Sequence, residues 1–119
     1  MECRRIQKFS RELKRLSKRY RSLGADVSKL ERVLEKLPCG TGGRHWNRLY
    51  ASSDGSILIY KVRLACVSLR GQSLLRVIYA CRLENGSVTC IDLIELYYKG
   101  EKESEDQERI DDYLVGDLD

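Results

Sequence analysis

The chain has 119 residues, of which 42% are hydrophobic and 34% charged, with a formal net charge of +4. That length supports one domain with one core, and the apolar content and single proline argue against a disordered chain. The net charge conceals a division, because residues 1–100 carry 20 Lys/Arg against 9 Asp/Glu and residues 101–119 carry 2 against 9.

A body so basic suits a polyanionic partner, and solvated surface charge is the plainer account of the same count. No apolar run approaches the length of a membrane span, and the first twenty residues are charged throughout with no apolar stretch of the secretory kind. Cys3, Cys39, Cys66, Cys81 and Cys90 are odd in number and contain no C-x-x-C pair. That pattern predicts neither a disulfide framework nor a zinc site, and a reducing, cytoplasmic setting is expected. No metal or other cofactor is expected.

Ile6, Phe9, Leu13, Leu16, Tyr20 and Leu23 recur at spacings of three and four, which predicts one amphipathic helix closed by Gly24. A short strand near residues 2–7 is allowed ahead of it. Asp26 is a suitable N-cap for a second helix that buries Val27, Leu30, Val33, Leu34 and Leu37 and stops at Pro38. The pair forms an αα-hairpin over residues 1–37. Residues 38–56, rich in Gly, Ser and Asn, read as one long loop, and long loops are often functional.

Residues 57–66, 73–83 and 87–99 read as strands, with Asn85-Gly86 marking a type I′ hairpin between the last two. Residues 102–115 read as a closing helix within an acidic segment, 100–119. The expected fold is a single α+β domain: an N-terminal αα-hairpin packed on a twisted antiparallel β-sheet, with a C-terminal helix. Strand alternation places Lys61 and Arg63 on one face, opposite Tyr60, Val62 and Leu64. Arg76 and Arg82 share a phase in the next strand, as do Glu95, Tyr97 and Lys99 in the last. The expected open face therefore carries Lys61, Arg63, Arg76, Tyr97 and Lys99. Antiparallel sheets routinely show polar residues to water, but cations interleaved with an aromatic also suit a phosphate backbone and a stacked base.

The segments IYKVRLACVSLRGQSLLRVIYA and LIELYYKGEKE resemble the RelE/ParE toxin superfamily, RelE- and HigB-like members above all. The resemblance rests on the order of Lys61 and Arg63, Arg76 through Tyr79, and Tyr97 with Lys99, and extends over about residues 8–115. It implies the toxin of a type II toxin–antitoxin system, a metal-independent endoribonuclease acting on mRNA at the ribosome. In that chemistry a 2′-hydroxyl attacks the adjacent phosphate. Arg63 and Arg76 would clamp the phosphate, Lys61 and Lys99 would assist with charge or proton transfer, and Tyr97 would stack on a base or orient the hydroxyl. Arg70, Arg82, Arg44 and Trp46 are further candidates for RNA contact, although an anchor for the long loop is the plainer role of Trp46, and a surface position that of His45. The implied partners are a cognate antitoxin, mRNA and the ribosome, in a monomer or a toxin–antitoxin hetero-oligomer.

The chain departs from the resemblance at residues 70–75. Relatives carry a Lys/Gly-rich loop of the GKSGG kind there, and this chain reads RGQSLL. That departure favours a second reading, RNA or ribosome binding without cleavage. A third is a ParE-like protein that binds and inhibits DNA gyrase, and a fourth is a protein-interaction domain with an acidic docking helix.

Overall fold

The two apolar stripes of the N-terminal segment form two helices, but the break between them falls earlier than Gly24 suggests. The computed structural model describes residues 1–40 and 45–116. Strand β1 (Glu2–Arg5) leads into α1 (Gln7–Ser17) and α2 (Leu23–Lys36). Strands β2 (Trp46–Ala51), β3 (Ile57–Cys66), β4 (Gln72–Glu84) and β5 (Ser87–Tyr98) follow, and then helix α3 (Gln107–Leu114).

Leu23 belongs to the second stripe, spaced four, seven and eleven residues before Val27, Leu30 and Leu34, and all four are buried. Gly24 consequently lies inside α2. Asp26 is no N-cap either: its carboxylate accepts from Ser22 Oγ at 2.8 Å and from the Val67 backbone N–H at 3.3 Å, tying the start of α2 to the 3-10 turn Val67–Leu69. That rotation turns Val33 and Leu37 outward, where they are 41% and 46% exposed rather than buried.

The expectation of an antiparallel sheet is overturned. The sheet has five strands in the order β1-β5-β4-β3-β2, and β1 runs parallel to β5, with Cys3 beside Ile91 and Arg5 beside Leu93. It is therefore a mixed sheet with a strand ahead of the helical pair. The physical reason is that Glu-Cys-Arg-Arg carries no alternating apolar set. Its place is decided by long-range contacts such as the Arg4 pair with Asp92, at 2.8 Å and 3.2 Å. The expected loop 38–56 is also shorter than its composition suggests, because Trp46–Ala51 is an edge strand on β3.

The remaining pairs are antiparallel. Asn85 and Gly86 both have positive φ, 52° and 79°, as a type I′ turn requires. Ile94 is an extra residue in β5 where the register shifts against β4, a bulge that keeps Asp92 and Glu95 on one face.

The packing is three-layered. Phe9, Leu13 and Leu16 of α1 and Leu23, Val27, Leu30 and Leu34 of α2 cover Tyr60, Val62, Val77, Tyr79, Leu93 and Leu96. Each such side chain contributes about 1.5–3 kcal/mol on burial. The opposite face, including Ile59, Ile78 and Ala80, is covered by α3 through Ile110 and Tyr113, which are 2% and 4% exposed. Asp106 caps α3, accepting from the Arg109 backbone N–H at 3.1 Å. Arg109 reaches around the β5 edge to Glu12 of α1 through two bonds of 2.8 Å and 3.0 Å and to the Ile94 carbonyl at 3.1 Å, joining the outer layers. No helix among the described residues is long and apolar enough to cross a membrane.

Candidate nucleic-acid interface

Three candidate residues meet in one row across the sheet. Arg63 of β3 is the ladder partner of Arg76 of β4, and Arg76 is the partner of Tyr97 of β5. Ladder partners project to the same face, so two guanidinium groups and a phenol lie side by side. The next row on that face is Lys61, Ile78 and Glu95. Alternation in the sequence is sufficient to group these residues, and the pairing puts them in contact order.

Arg63 is exposed and Arg76 half-buried. Neither forms an ion pair within 4.0 Å with a carboxylate among the described residues. Arg76 Nη1 instead donates to the Ser73 carbonyl at 2.7 Å and the Leu75 carbonyl at 3.2 Å, which fixes the direction of its planar fork. Burial first and the neighbouring Arg63 second lower the Arg76 pKa from its ordinary value. An anion placed between the two guanidinium groups would relieve that repulsion.

Tyr97 is 3% exposed, and its hydroxyl is buried without a hydrogen-bond partner. Burial, then Glu105 and Glu95, push its pKa up to about 12, so the phenol keeps its proton. The Lys102 ammonium lies 5.5 Å from the centroid of its ring.

The expected open face is covered at this end by the segment that follows β5. Lys61 Nζ donates to Glu105 at 2.8 Å. Lys99 is exposed, beyond the end of β5, and donates to the Glu103 carbonyl at 2.6 Å. Lys102 pairs with Glu95, which is buried, and Glu95 also accepts from the Asp106 backbone N–H at 2.8 Å. Two of the expected lysines are therefore engaged by the acidic segment, while the two arginines are not. Alternation places Glu95 on the face of Tyr97 and Lys99, but neither its burial nor the position of Glu105 follows from spacing. The one available signal was the opposite charge of body and tail, which does not say where the tail lies.

The other candidates lie apart from this row. Arg82 shares the face but is six residues along β4 from Arg76, about 20 Å away. Its Nε donates to the Tyr113 hydroxyl at 2.9 Å, its guanidinium lies 5.0 Å from the Tyr113 ring centroid, and it approaches Asp92 at 3.5 Å. Tyr113 in turn donates to Asp92 at 2.6 Å, and that carboxylate, 2% exposed, also holds Arg4. A cavity of about 270 Å³ beside Arg4, Arg82, Asp92 and Tyr113 marks this cluster, which the sequence signals only as an acid within the apolar run CIDLIEL.

Arg70 is exposed and left-handed, with φ of 56°, in the turn after Val67–Leu69. Of the segment 70–75, Gln72–Leu75 belongs to β4, which begins one residue before the expected strand 73–83. Trp46 lies on the helix side, paired with Val62, and its indole N–H donates to the Tyr79 hydroxyl at 2.8 Å. Its ring packs on Gly40 so closely that any side chain there would collide with it. Trp46 is thus an anchor for the chain between α2 and β2. His45 is exposed, and its carbonyl accepts from the Arg63 backbone N–H at 3.1 Å. Arg44 lies outside the described residues.

The described residues contain no group of three or more His, Cys, Asp or Glu side chains placed to hold a metal ion. Comparison of the chain with protein-family models, with curated proteins and with solved structures finds no match in any of the three.

Proposed function

We propose that this chain binds RNA through the Arg63–Arg76–Tyr97 row and acts, like the RelE/ParE toxins that its strand motifs resemble, as the toxin of a toxin–antitoxin pair in the cytoplasm. The observation that carries the reading is the cross-strand pair of guanidinium groups without a carboxylate partner among the described residues, beside a protonated phenol. Two planar, permanently charged forks suit the non-bridging oxygens of a phosphodiester. The body charge of 20 Lys/Arg against 9 Asp/Glu over residues 1–100 favours the same partner.

Cleavage of mRNA is the second reading, favoured by the unpartnered Tyr97 hydroxyl next to Arg76. In it, a 2′-hydroxyl attacks the adjacent phosphorus and the 5′-oxygen leaves, giving a cyclic phosphate. Arg63 and Arg76 would hold the charge that develops on phosphorus. Binding comes first of the two because Lys61, on the same face, is engaged by Glu105 at 2.8 Å rather than open to the phosphate.

The test is expression without an antitoxin, with mapping of mRNA 5′-ends and single-stranded RNA binding by the purified protein. Binding without cuts, lost in Arg76→Ala, supports the first reading. Growth arrest with new 5′-ends, also lost in Arg76→Ala, supports the second. Absence of both RNA binding and toxicity refutes both.

A further inference from the structure

The outward face of α1 is a separate feature that the sheet row does not use. Lys8, Arg11, Lys14, Arg15, Lys18 and Arg19 on this helix and the turn after it are all exposed. Arg11, Lys14, Arg15 and Lys18 follow the i, i+3, i+4, i+7 spacing that aligns them on one stripe, opposite the buried Phe9, Leu13 and Leu16. Arg15 and Arg19 share Glu101, at 3.2 Å and 3.1 Å. Lys8, Arg11, Lys14 and Lys18 have no carboxylate within 4.0 Å among the described residues.

This arrangement cuts both ways for the helix that carries it: Lys14 and Arg15 lie in its last turn, where the negative end of the dipole favours cations. Arg11 and Arg15, and Lys14 and Lys18, are like-charge neighbours one turn apart. The first turn holds no acidic residue, although the positive end of the helix dipole lies there and Lys8 adds to it.

The chemistry of the face selects its partner. A helix lying on a lipid surface needs its apolar side free, and here Phe9 and Leu16 are 0% exposed. A protein partner is anchored by aromatic or aliphatic side chains at the centre of its interface, and the exposed positions of α1 are Gln7, Lys8, Ser10, Arg11, Lys14 and Arg15. What remains is an array of point charges suited to phosphates. From Lys8 to Lys18 it extends about 15 Å, longer than the roughly 12 Å major-groove width of B-form DNA. Its ends therefore reach phosphates of both flanking strands.

We infer that the outward face of α1 is a docking surface for the phosphate backbone of double-helical nucleic acid, independent of the sheet row. The test compares the wild-type chain with the triple variant Arg11→Gln, Lys14→Gln, Lys18→Gln. Fluorescence anisotropy follows binding to a short RNA duplex, a DNA duplex of matched sequence and anionic lipid vesicles across a salt series. The variant is expected to lose more than tenfold in duplex affinity at low salt. Its slope of log affinity against log salt should shallow by about two to three, near 0.9 per cation removed. Its melting temperature should hold, because relief of the like-charge neighbours offsets the lost attraction of Lys14 and Lys18 to the C-terminal end of the helix, which separates the loss from unfolding. Equal loss on RNA and DNA assigns the contact to phosphate alone, and a larger loss on RNA adds the 2′-hydroxyl; both support the inference. An unchanged slope and affinity in the variant, or vesicle binding as tight as duplex binding, overturns it. Arg63→Gln distinguishes this surface from the sheet row, since it should weaken single-stranded RNA binding and leave duplex binding intact.

Discussion

Replacing Arg63 by glutamine separates a binding role for the arginine pair from a structural one, because the two roles predict opposite changes in stability. Arg63 and Arg76 are ladder partners on one face, and burial first and this pairing second depress the Arg76 pKa. Like charges directly opposite in a sheet cost about 0.2–1 kcal/mol, and the exposure of Arg63 puts the value near the lower end, about 0.2–0.5 kcal/mol, after solvent screening. For a domain of this size that corresponds to a rise in melting temperature of about 1–2 °C. RNA affinity should move the other way. A charge-assisted hydrogen bond to phosphate contributes about 1.5–3 kcal/mol, so the variant should bind single-stranded RNA roughly 10- to 150-fold more weakly. Arg76→Gln provides the contrast. It removes the same repulsion but also the bonds to the Ser73 and Leu75 carbonyls, each a net contribution of about 0.5–1.5 kcal/mol, so it should melt lower while losing affinity. Circular dichroism melts and anisotropy with a single-stranded oligonucleotide read both quantities. If Arg63→Gln melts several degrees lower, or binds RNA as tightly as the wild type, the reasoning fails.

Tyr79→Phe should destabilise the fold by about 2–3 kcal/mol, since it leaves the Trp46 indole N–H and the Pro38 carbonyl without their buried partner; a urea titration measures it, and a change under about 0.5 kcal/mol would contradict the anchor role of Trp46. The pH dependence follows from Asp92 and Glu105. Both carboxylates have folded-state pKa values below their ordinary range, although burial acts in the opposite direction: Arg4 and the Tyr113 hydroxyl hold Asp92 down, and Lys61 holds Glu105 down. Their contribution is fully present above the unfolded values near about 4 and is lost as the pH falls through the lower folded values. Urea midpoints measured below about pH 4 should therefore drop more gradually in Asp92→Asn than in the wild type, and parallel acid limbs would remove Asp92 from the account.

What could be read from the sequence was local. The strand Ile57–Cys66 and the Asn85-Gly86 turn follow from alternation and turn chemistry, and the grouping of Lys61, Arg63, Arg76 and Tyr97 follows from the same period of two. What could not be read was decided at a distance. Glu2–Arg5 is polar throughout and pairs with a strand nearly the whole chain away. Trp46–Ala51 sits between glycine- and serine-rich stretches, and its ordering depends on Tyr79 and on the edge of β3. Gly24 misplaces the helix break, because the sheet and the serine–aspartate contact between Ser22 and Asp26 outweigh a helix-ending preference of about 1 kcal/mol. The covering of the basic face by residues 102–113 depends on contacts between Lys61 and Glu105 and between Asp92 and Tyr113, partners that no spacing rule connects.

The parallel pairing of β1 with β5 has a consequence for how the chain folds. β3, β4 and β5 are joined by short connections and can assemble early, whereas Arg4 must wait for Asp92, 88 residues later, before its strand has a neighbour. Closing so long a loop is entropically costly and slow. During synthesis the Phe9, Leu13 and Leu16 side of α1 leaves the ribosome well before β5, the strand it packs on. The nascent chain therefore carries an uncovered apolar stripe under a dense cationic surface through most of its synthesis. In that interval the like charge of the same lysines and arginines opposes association between neighbouring nascent chains.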